Sequence, residues 1–539
     1  MQGLMMDFQL TIPSLLRRAE QLFPNKSIVT RLPDKSVHRH SYKEFAVRTR
    51  RLAVALKQLG VRPGDRVATL CWNHYQHLEA YFGIPSMGGV LHTLNLRLSP
   101  DDLEYIVNHA DDQVILVDQV LWPLFEKFRS KVHPRHVIVI PNGGQPIPAG
   151  ALNYEELLAG ADPSQYEPYD HDENAAAAMC YTSGTTGRPK GVVYSHRSIV
   201  LHSMVCAFVD GMGIREADVV LPVVPMFHVN AWGLPFTCTM VGTTQVFPGP
   251  HLDAASLLQL FDNEKVTITA GVPTIWLGIL NALDADPHKY NLSRLRHMVV
   301  GGSAAPRAMI AGFEQRHNLH VLHAWGMTET SPLGTICTLT SEVAQLDEEQ
   351  KLDYRAKQGI PSVLVEMRAR GDEGIIPNDG VSMGELEVRG PWIASSYYHN
   401  DEPDNKFTDD GWFRTGDIVT IDALGYMEIR DRSKDVIKSG GEWISSVLLE
   451  GAIMGHPAVA EAAVFAIPSE KWMERPMACV VLKQGQTTTA DEIRKFLEPK
   501  FAKFQLPDAI EFVNEIPKTS VGKFKKSVLR ERYKDYKVA

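Results

Sequence analysis

The chain lacks the marks of several large protein classes. It has only six cysteines in 539 residues, and Cys71, Cys180, Cys206, Cys238, Cys337 and Cys479 form no C-x-x-C pair. That scatter argues against a disulfide framework and a zinc site, and it predicts a reducing, cytoplasmic setting. Positive charge is not in excess: 55 Lys and Arg against 64 Asp and Glu leave −9. The balance speaks against nucleic acid as a partner. Residues 1–11 lack the basic-then-apolar order of a secretory leader, and Arg17 and Arg18 soon follow. Internal repeats and low-complexity tracts are missing as well. One stretch, 219–251, carries no Asp, Glu, Lys or Arg and raises the question of a membrane span. Pro222, Pro225, Pro235, His228 and Asn230 within it would leave polar groups unsatisfied in lipid. A buried strand and a pocket-lining loop are expected there instead, and no integral membrane segment.

What remains is ordinary globular composition, 44% hydrophobic and 22% charged. The length exceeds what one hydrophobic core serves, so at least two domains are expected. Leu15, Leu16, Ala19, Leu22 and Phe23 recur at helical spacing. Short apolar runs at 65–70, 113–117, 136–140, 266–270 and 298–302 read as strands, and 121–128 reads as a helix with Pro123 in its first turn. This alternation predicts an α/β fold with substantial parallel sheet. After about residue 380 the texture changes, and 385–389, 418–422 and 426–430 predict short antiparallel strands around Gly425. The string Arg430-Asp-Arg-Ser-Lys-Asp has no apolar anchor and reads as a solvated connector. The expectation is a large multi-subdomain N-terminal α/β domain over 1–433. A small mobile α+β C-terminal domain over 434–539 would be hinged at Lys434.

The densest local signal is Tyr181-Thr-Ser-Gly-Thr-Thr-Gly-Arg-Pro-Lys-Gly191, which follows an apolar run. Its glycines allow close backbone approach to phosphate, and its hydroxyls can donate to phosphate oxygens or bind Mg²⁺. It is not the G-x-x-x-x-G-K-[ST] loop of the common NTPases. Taken alone, such a loop is more often an ordinary surface turn.

Other segments change that balance. The loop resembles the phosphate loop of the adenylate-forming family: acyl-CoA synthetases, luciferases and peptide-synthetase adenylation domains. Five further segments resemble family motifs in the same order. They are Gly301-Gly-Ser-Ala-Ala-Pro306, Trp325-Gly-Met-Thr-Glu329, Phe413-Arg-Thr-Gly-Asp417, Asp431-Arg-Ser-Lys-Asp-Val-Ile-Lys-Ser-Gly-Gly441 and Pro517-Lys-Thr-Ser-Val-Gly-Lys523. The resemblance runs along essentially the whole chain. Within the family, Phe227-His-Val-Asn-Ala-Trp232 and Ser439-Gly-Gly-Glu-Trp-Ile-Ser445 are similar to segments of bacterial medium- and long-chain fatty acyl-CoA synthetases and of methylmercaptopropionate-activating enzymes.

The resemblance implies a two-step reaction with ATP, Mg²⁺ and coenzyme A, in which an acyl adenylate forms and CoA thiol then displaces AMP. Joining two anions makes charge neutralisation the main catalytic need. By resemblance, Lys523 is the catalytic lysine of the first step, while Lys525 and Lys526 remain a solvated basic face. Thr328 would donate to the α-phosphate. Glu329 is the implied Mg²⁺ ligand, with Thr182 completing the metal or phosphate contacts. The nucleotide would be held by Thr182, Ser183, Gly184, Thr185, Thr186, Gly187, Lys190, Gly302, Ser303, Ala304, His323, Ala324, Trp325, Gly326 and Thr328, and by Asp417 and Arg432 at the ribose. Trp325 is expected to stack on adenine and His323 to reach its edge; Lys434 and Trp443 are further implied nucleotide contacts. His228, Val229, Trp232, Gly302, Pro332 and Leu333 would line the acyl pocket, with Trp232 resembling a gate residue. Lys438, Gly440 and Gly441 would serve the CoA tunnel once the small domain has rotated about Lys434. These segments hold no carboxylate to pair a substrate ammonium, which disfavours amino acids.

The reading is an AMP-forming acid–thiol ligase, cytoplasmic and homodimeric by resemblance, acting on medium- to long-chain fatty acids. Three alternatives stay open: a short carboxylate such as 3-methylmercaptopropionate, acyl loading onto a carrier protein, and a catalytically inactive acyl-nucleotide binding protein.

Overall fold

The alternating strands and helices build two large sheets in the structure, a computed structural model. It describes residues 1, 3–170, 172–182, 188–400, 405–439, 442–469, 472–518 and 524–536, with only the backbone of Glu442. The first sheet orders its strands Leu152–Asn153, His136–Ile140, Asp112–Asp118, Arg66–Leu70, Val90–Thr93, Ala176–Tyr181 and Gly191–Ser195. All its neighbours are parallel except the last pair. The second sheet has nine strands with a parallel centre, including Val219–Pro222, Ile268–Gly271, His297–Val300 and Val321–Gly326. One continuous core joins the sheets, with Val67, Leu91 and Val114 from the first and Val220, Ala270 and Leu322 from the second. Strands buried on both faces read as unbroken apolar runs, which is why the sequence shows them plainly.

A five-stranded antiparallel sheet follows, from Gly374–Ile375 to Met427–Arg432, with Phe413–Ile421 next to its last strand. The remaining chain has its own core around Ile437, Leu449, Ile453, Val464, Val480 and Ile493. That core lies between a sheet centred on Met473–Leu482 and Val459–Ser469 and the helices Ser446–Met454 and Ala490–Leu497. The mixed α/β expectation holds throughout.

Several local expectations change. The helix expected over 121–128 is one short turn, Trp122–Phe125, entered through a tighter turn at Gln119–Leu121. The uncharged stretch is strand, left-handed turn, buried helix Leu234–Val241 and strand Thr244–Phe247. Among the described residues no helix is long and apolar enough to cross a membrane. All six cysteines are buried thiols. Cys71, His74 and Asp118 do converge, but as support for a helix start. His74 Nδ1 accepts the His77 N–H at 3.1 Å, and its Nε2–H donates to Asp118 at 2.7 Å. The connector 430–435 is not fully solvated, because Asp431 is 1% exposed. Lys526, expected on a solvated face, is also buried. Both departures share one cause: each charge has a partner distant in sequence.

Candidate active site

The strands Ala176–Tyr181 and Gly191–Ser195 bring the two ends of the glycine-rich loop together. Thr182 N–H donates to the Lys190 carbonyl at 2.9 Å, and Lys190 N–H donates to Thr182 Oγ1 at 3.0 Å. The loop base is thus closed by two hydrogen bonds. Ser183, Gly184, Thr185, Thr186 and Gly187 lie outside the described residues. Across from this base, Glu329 is 5% exposed and its Oε1 accepts the Tyr397 hydroxyl at 2.6 Å. The face of the same Tyr397 ring carries the Lys190 ammonium, 4.7 Å from the ring centre. Backbone bonds from Ala394 N–H to Glu329 O (2.8 Å) and from Tyr398 N–H to Gly191 O (2.9 Å) strap 394–398 over both segments. Thr328 is fixed through its carbonyl, which accepts the Tyr194 hydroxyl at 2.8 Å.

On the other side, Asp417 is 1% exposed at the middle of Phe413–Ile421. Its Oδ1 pairs with Arg432 Nε at 2.8 Å, and its Oδ2 accepts the Trp325 indole N–H at 3.0 Å. Arg432 therefore stands beside the carboxylate. The indole bond to Asp417 was not expected. Trp325 packs among Ala369, Leu386, Val388 and Phe413, and Gly334 leaves room for its six-membered ring. Both nitrogens of His323 are engaged by backbone. Its Nδ1 bonds the Ala356 carbonyl at 3.0 Å, and its Nε2 accepts the Ala305 N–H at 3.3 Å. Burial lowers its pKa to about 4, so the ring is neutral. It holds the 303–305 turn in place, with both nitrogens bonded to backbone where an adenine contact was expected.

The apolar end is built on an unusual backbone. Val229, Asn230, Ala231 and Trp232 have φ of 44°, 51°, 51° and 56°, a left-handed turn closed by Gly233 at 75°. L-residues resist this conformation by about 1–2 kcal/mol each, and a β-branched residue there is a true outlier. Burial of Val229 and Trp232, at 2% and 7% exposure, compensates. The Trp232 ring lies on Gly301, where an added Cβ would sit 3.1 Å from it. Beneath the turn, His202 Nε2 accepts the Leu333 N–H at 3.2 Å, and burial lowers the His202 pKa to about 3.

These parts surround two confluent cavities of about 850 and 670 Å³. Thr182, Lys190, His228, Val229, Trp232, Thr328, Glu329, Pro332, Leu333 and Lys434 line the first. Ser303, Ala304, His323 and Asp417 line the second. Gly302, Ala324, Trp325, Gly326, Arg432 and Phe524 border both. Burial at this mouth pushes the Lys434 ammonium below its usual pKa. Lys438 and Trp443 line neither cavity; they pair with each other, ammonium over ring at 5.8 Å, on the short hairpin Ile437–Ser439 and Glu442–Ile444. Gly440, Gly441 and Lys523 lie outside the described residues, although Phe524, next to Lys523, borders both cavities.

Sequence reasoning missed Tyr397, Tyr194 and His202. Tyr397 sits in Tyr397-Tyr398-His399, where nothing in the spacing separates a site residue from packing. His202 is one of eight buried residues on the helix His196–Ala207 and gave no signal at all.

Comparison with known proteins finds matches along nearly the whole chain. The family model for AMP-binding enzymes matches residues 16–398, and the model for the AMP-binding enzyme C-terminal domain matches 448–523. A long-chain-fatty-acid–CoA ligase of Thermus thermophilus is 53% identical, covering 99% of this chain and 97% of its own. A 3-methylmercaptopropionyl-CoA ligase of Ruegeria lacuscaerulensis is 44% identical over 99% of each chain. The crystal structure of an anthranilate CoA ligase in complex with anthranoyl-AMP superposes with a TM-score of 0.87 at 28% identity, covering 98% of each chain. With two matched segments, a relative 53% identical along nearly its whole length and a shared fold, the chain belongs to the AMP-binding enzyme family.

Proposed function

We propose that the protein is an ATP-dependent, AMP-forming acyl-CoA ligase for medium- to long-chain fatty acids. The observation that carries this reading is the junction of the two cavities. Trp232, Val229 and Leu333 form the apolar chamber of the cavity that Lys190, Glu329 and Lys434 also line, and Gly302, Trp325 and Arg432 border both this cavity and the second, which Asp417 lines. A fatty carboxylate threaded through the chamber arrives with its head beside the nucleotide's phosphates. In the first step a carboxylate oxygen bonds the α-phosphorus as the bond to pyrophosphate breaks. In the second, the CoA sulfur bonds the acyl carbon, the bond to AMP breaks and the thiol proton is released.

Asp417 accepts both ribose hydroxyls in this reading, with Arg432 and Trp325 fixing its two oxygens. Lys190, the glycine-rich loop and Thr328 gather the phosphates, and Lys523 neutralises the developing charge between carboxylate and phosphate. The donor set at Glu329 suits Mg²⁺: a buried carboxylate with hydroxyls of Thr182 and Thr328 at the same cavity, all hard oxygen. Bound there, Mg²⁺ would offset charge on ATP. Lys434 is the hinge between residues 1–433 and 434–539. Rotation would bring Lys438, Gly440 and Gly441 to the site for CoA. A homodimer and a cytoplasmic location complete the reading.

The test is carboxylate-dependent pyrophosphate release from ATP over a ladder from propionate to palmitate, with wild type and Lys523→Ala. A signal that rises with chain length and is lost in the variant is expected. A signal confined to short acids would favour the second reading, activation of 3-methylmercaptopropionate, which the 44%-identical Ruegeria relative supports. Silence from folded protein would refute the ligase.

A further inference from the structure

The charge buried just ahead of the C-terminal segment has no part in the chemistry above. Asp431 lies at the end of the strand Met427–Arg432, which is bonded to Phe413–Ile421 of the large body. Its Oδ2 accepts the Ser446 N–H at 2.7 Å, at the first turn of the helix Ser446–Met454. The Ser445 hydroxyl donates to the Arg430 carbonyl across the same seam. Beside them lies the Lys526 ammonium, 2.8 Å from Glu450 Oε1 and donating to Ser446 Oγ at 2.5 Å. Glu450 Oε1 also accepts the Val464 N–H at 2.7 Å. Burial acts against the Lys526 ammonium, yet Glu450 and Asp431 outweigh it and hold its pKa above the usual value. One helical turn further on, Arg530 reaches Asp435 and the Lys434 carbonyl.

Removing a carboxylate from water costs several kcal/mol unless partners replace the solvent. Among the described residues, and apart from the N–H of its neighbour Arg432 at 2.8 Å, the partners of the Asp431 carboxylate come from beyond Lys434. They are the Ser446 N–H and the field of Lys526. Rotation about Lys434 would carry both away. Even with them burial holds the Asp431 pKa above its usual value, so the carboxylate tolerates its buried place best at the one angle of the small domain that supplies these partners, which an apolar contact would not specify.

We propose that Asp431 and Lys526 form a latch that holds the small domain in the pose with Phe524 at the cavities and the Lys438–Trp443 hairpin away from them. They are positioning residues, and the inference rests on the two-step ligase reading. The latch must open before the second step, so its loss should weigh on adenylation and spare thioester formation.

The test uses the full-length protein with Asp431→Ala and Asp431→Asn. Three readouts are compared with wild type: carboxylate-dependent ATP–pyrophosphate exchange, thioester formation from supplied acyl-adenylate and CoA, and tryptic cleavage within 430–438. Asp431→Ala should slow exchange by about tenfold, the lower end of what a hydrogen bond to a charged group contributes. Thioester formation should fall by less than about threefold, within the scatter of such contributions, and cleavage should accelerate. Asp431→Asn, which keeps the acceptor without the charge, should lie between. Equal losses in both half-reactions, or cleavage at the wild-type rate, would overturn the latch. If wild type shows no carboxylate-dependent exchange, the ligase reading fails, and the cleavage rates alone decide the latch.

Discussion

The Cβ of an alanine placed at Gly334 would meet the Trp325 ring before any other atom, and through that contact Gly334→Ala should impair nucleotide binding. The Cβ would sit 2.3 Å from one atom of the six-membered ring and 2.6 Å from the next. The indole has little room to retreat, since Trp325 is 6% exposed and packed against Leu386, Val388 and Phe413. Overpacking of this kind costs about 1–3 kcal/mol. Displacing the indole also weakens its N–H bond to Asp417, and a hydrogen bond to a charged group contributes about 1.5–3 kcal/mol. Together these predict that the KM for ATP rises by at least about tenfold, each factor of ten being about 1.4 kcal/mol. The assay is pyrophosphate exchange over an ATP titration with Gly334→Ala, Trp325→Phe and the double variant. Trp325→Phe removes both the crowded ring and the indole donor, so the double variant should match that single variant. Additive losses, or an unchanged KM in Gly334→Ala, would refute the idea that this glycine acts through the indole.

Tyr397→Phe removes the hydroxyl that Glu329 accepts; exchange should fall by roughly tenfold, and the Mg²⁺ concentration for half-activation should rise in a metal titration. His323 has a folded pKa of about 4 against 6.5 unfolded, so the unfolded chain binds more protons between these values. The contribution of His323 is complete above pH 6.5 and is lost as pH falls toward 4, by roughly 3 kcal/mol at most; His323→Asn should flatten the slope of the urea midpoint against pH in that window. Lys434→Pro should slow overall turnover while AMP binding, measured by calorimetry, persists; normal turnover would remove the hinge from Lys434.

The parallel core was legible because strands covered on both faces are plain apolar runs. Arg66–Leu70 and His136–Ile140 fall within a residue of where the pattern puts them. Candidate site residues with a motif around them were legible too: Thr182, Glu329, Asp417 and Arg432 all reach one pair of cavities. What escaped was pairing across sequence distance. Nothing near Lys526 announces Glu450, 76 residues earlier by the numbering of their 2.8 Å contact. Nothing near Asp431 announces Ser446, so composition made both look solvated. The helix expected over 121–128 failed locally: it closes after the four residues Trp122–Phe125, and the Phe125 ring packs on that of Phe128 at 5.3 Å.

The left-handed turn at 229–232 bears on how this enzyme's substrate range could change. Substitutions that reshape a pocket normally lower stability, and that loss limits how many a protein tolerates. Here the wall itself holds conformational tension. Glycine adopts positive φ freely, and asparagine or aspartate does so more readily than a β-branched residue. Val229→Gly would enlarge the chamber and at the same time relax its backbone, so part of the lost packing is returned. Positions where remodelling and relief coincide are rare in a close-packed interior, and they mark where divergence toward shorter or bulkier acids meets the least resistance.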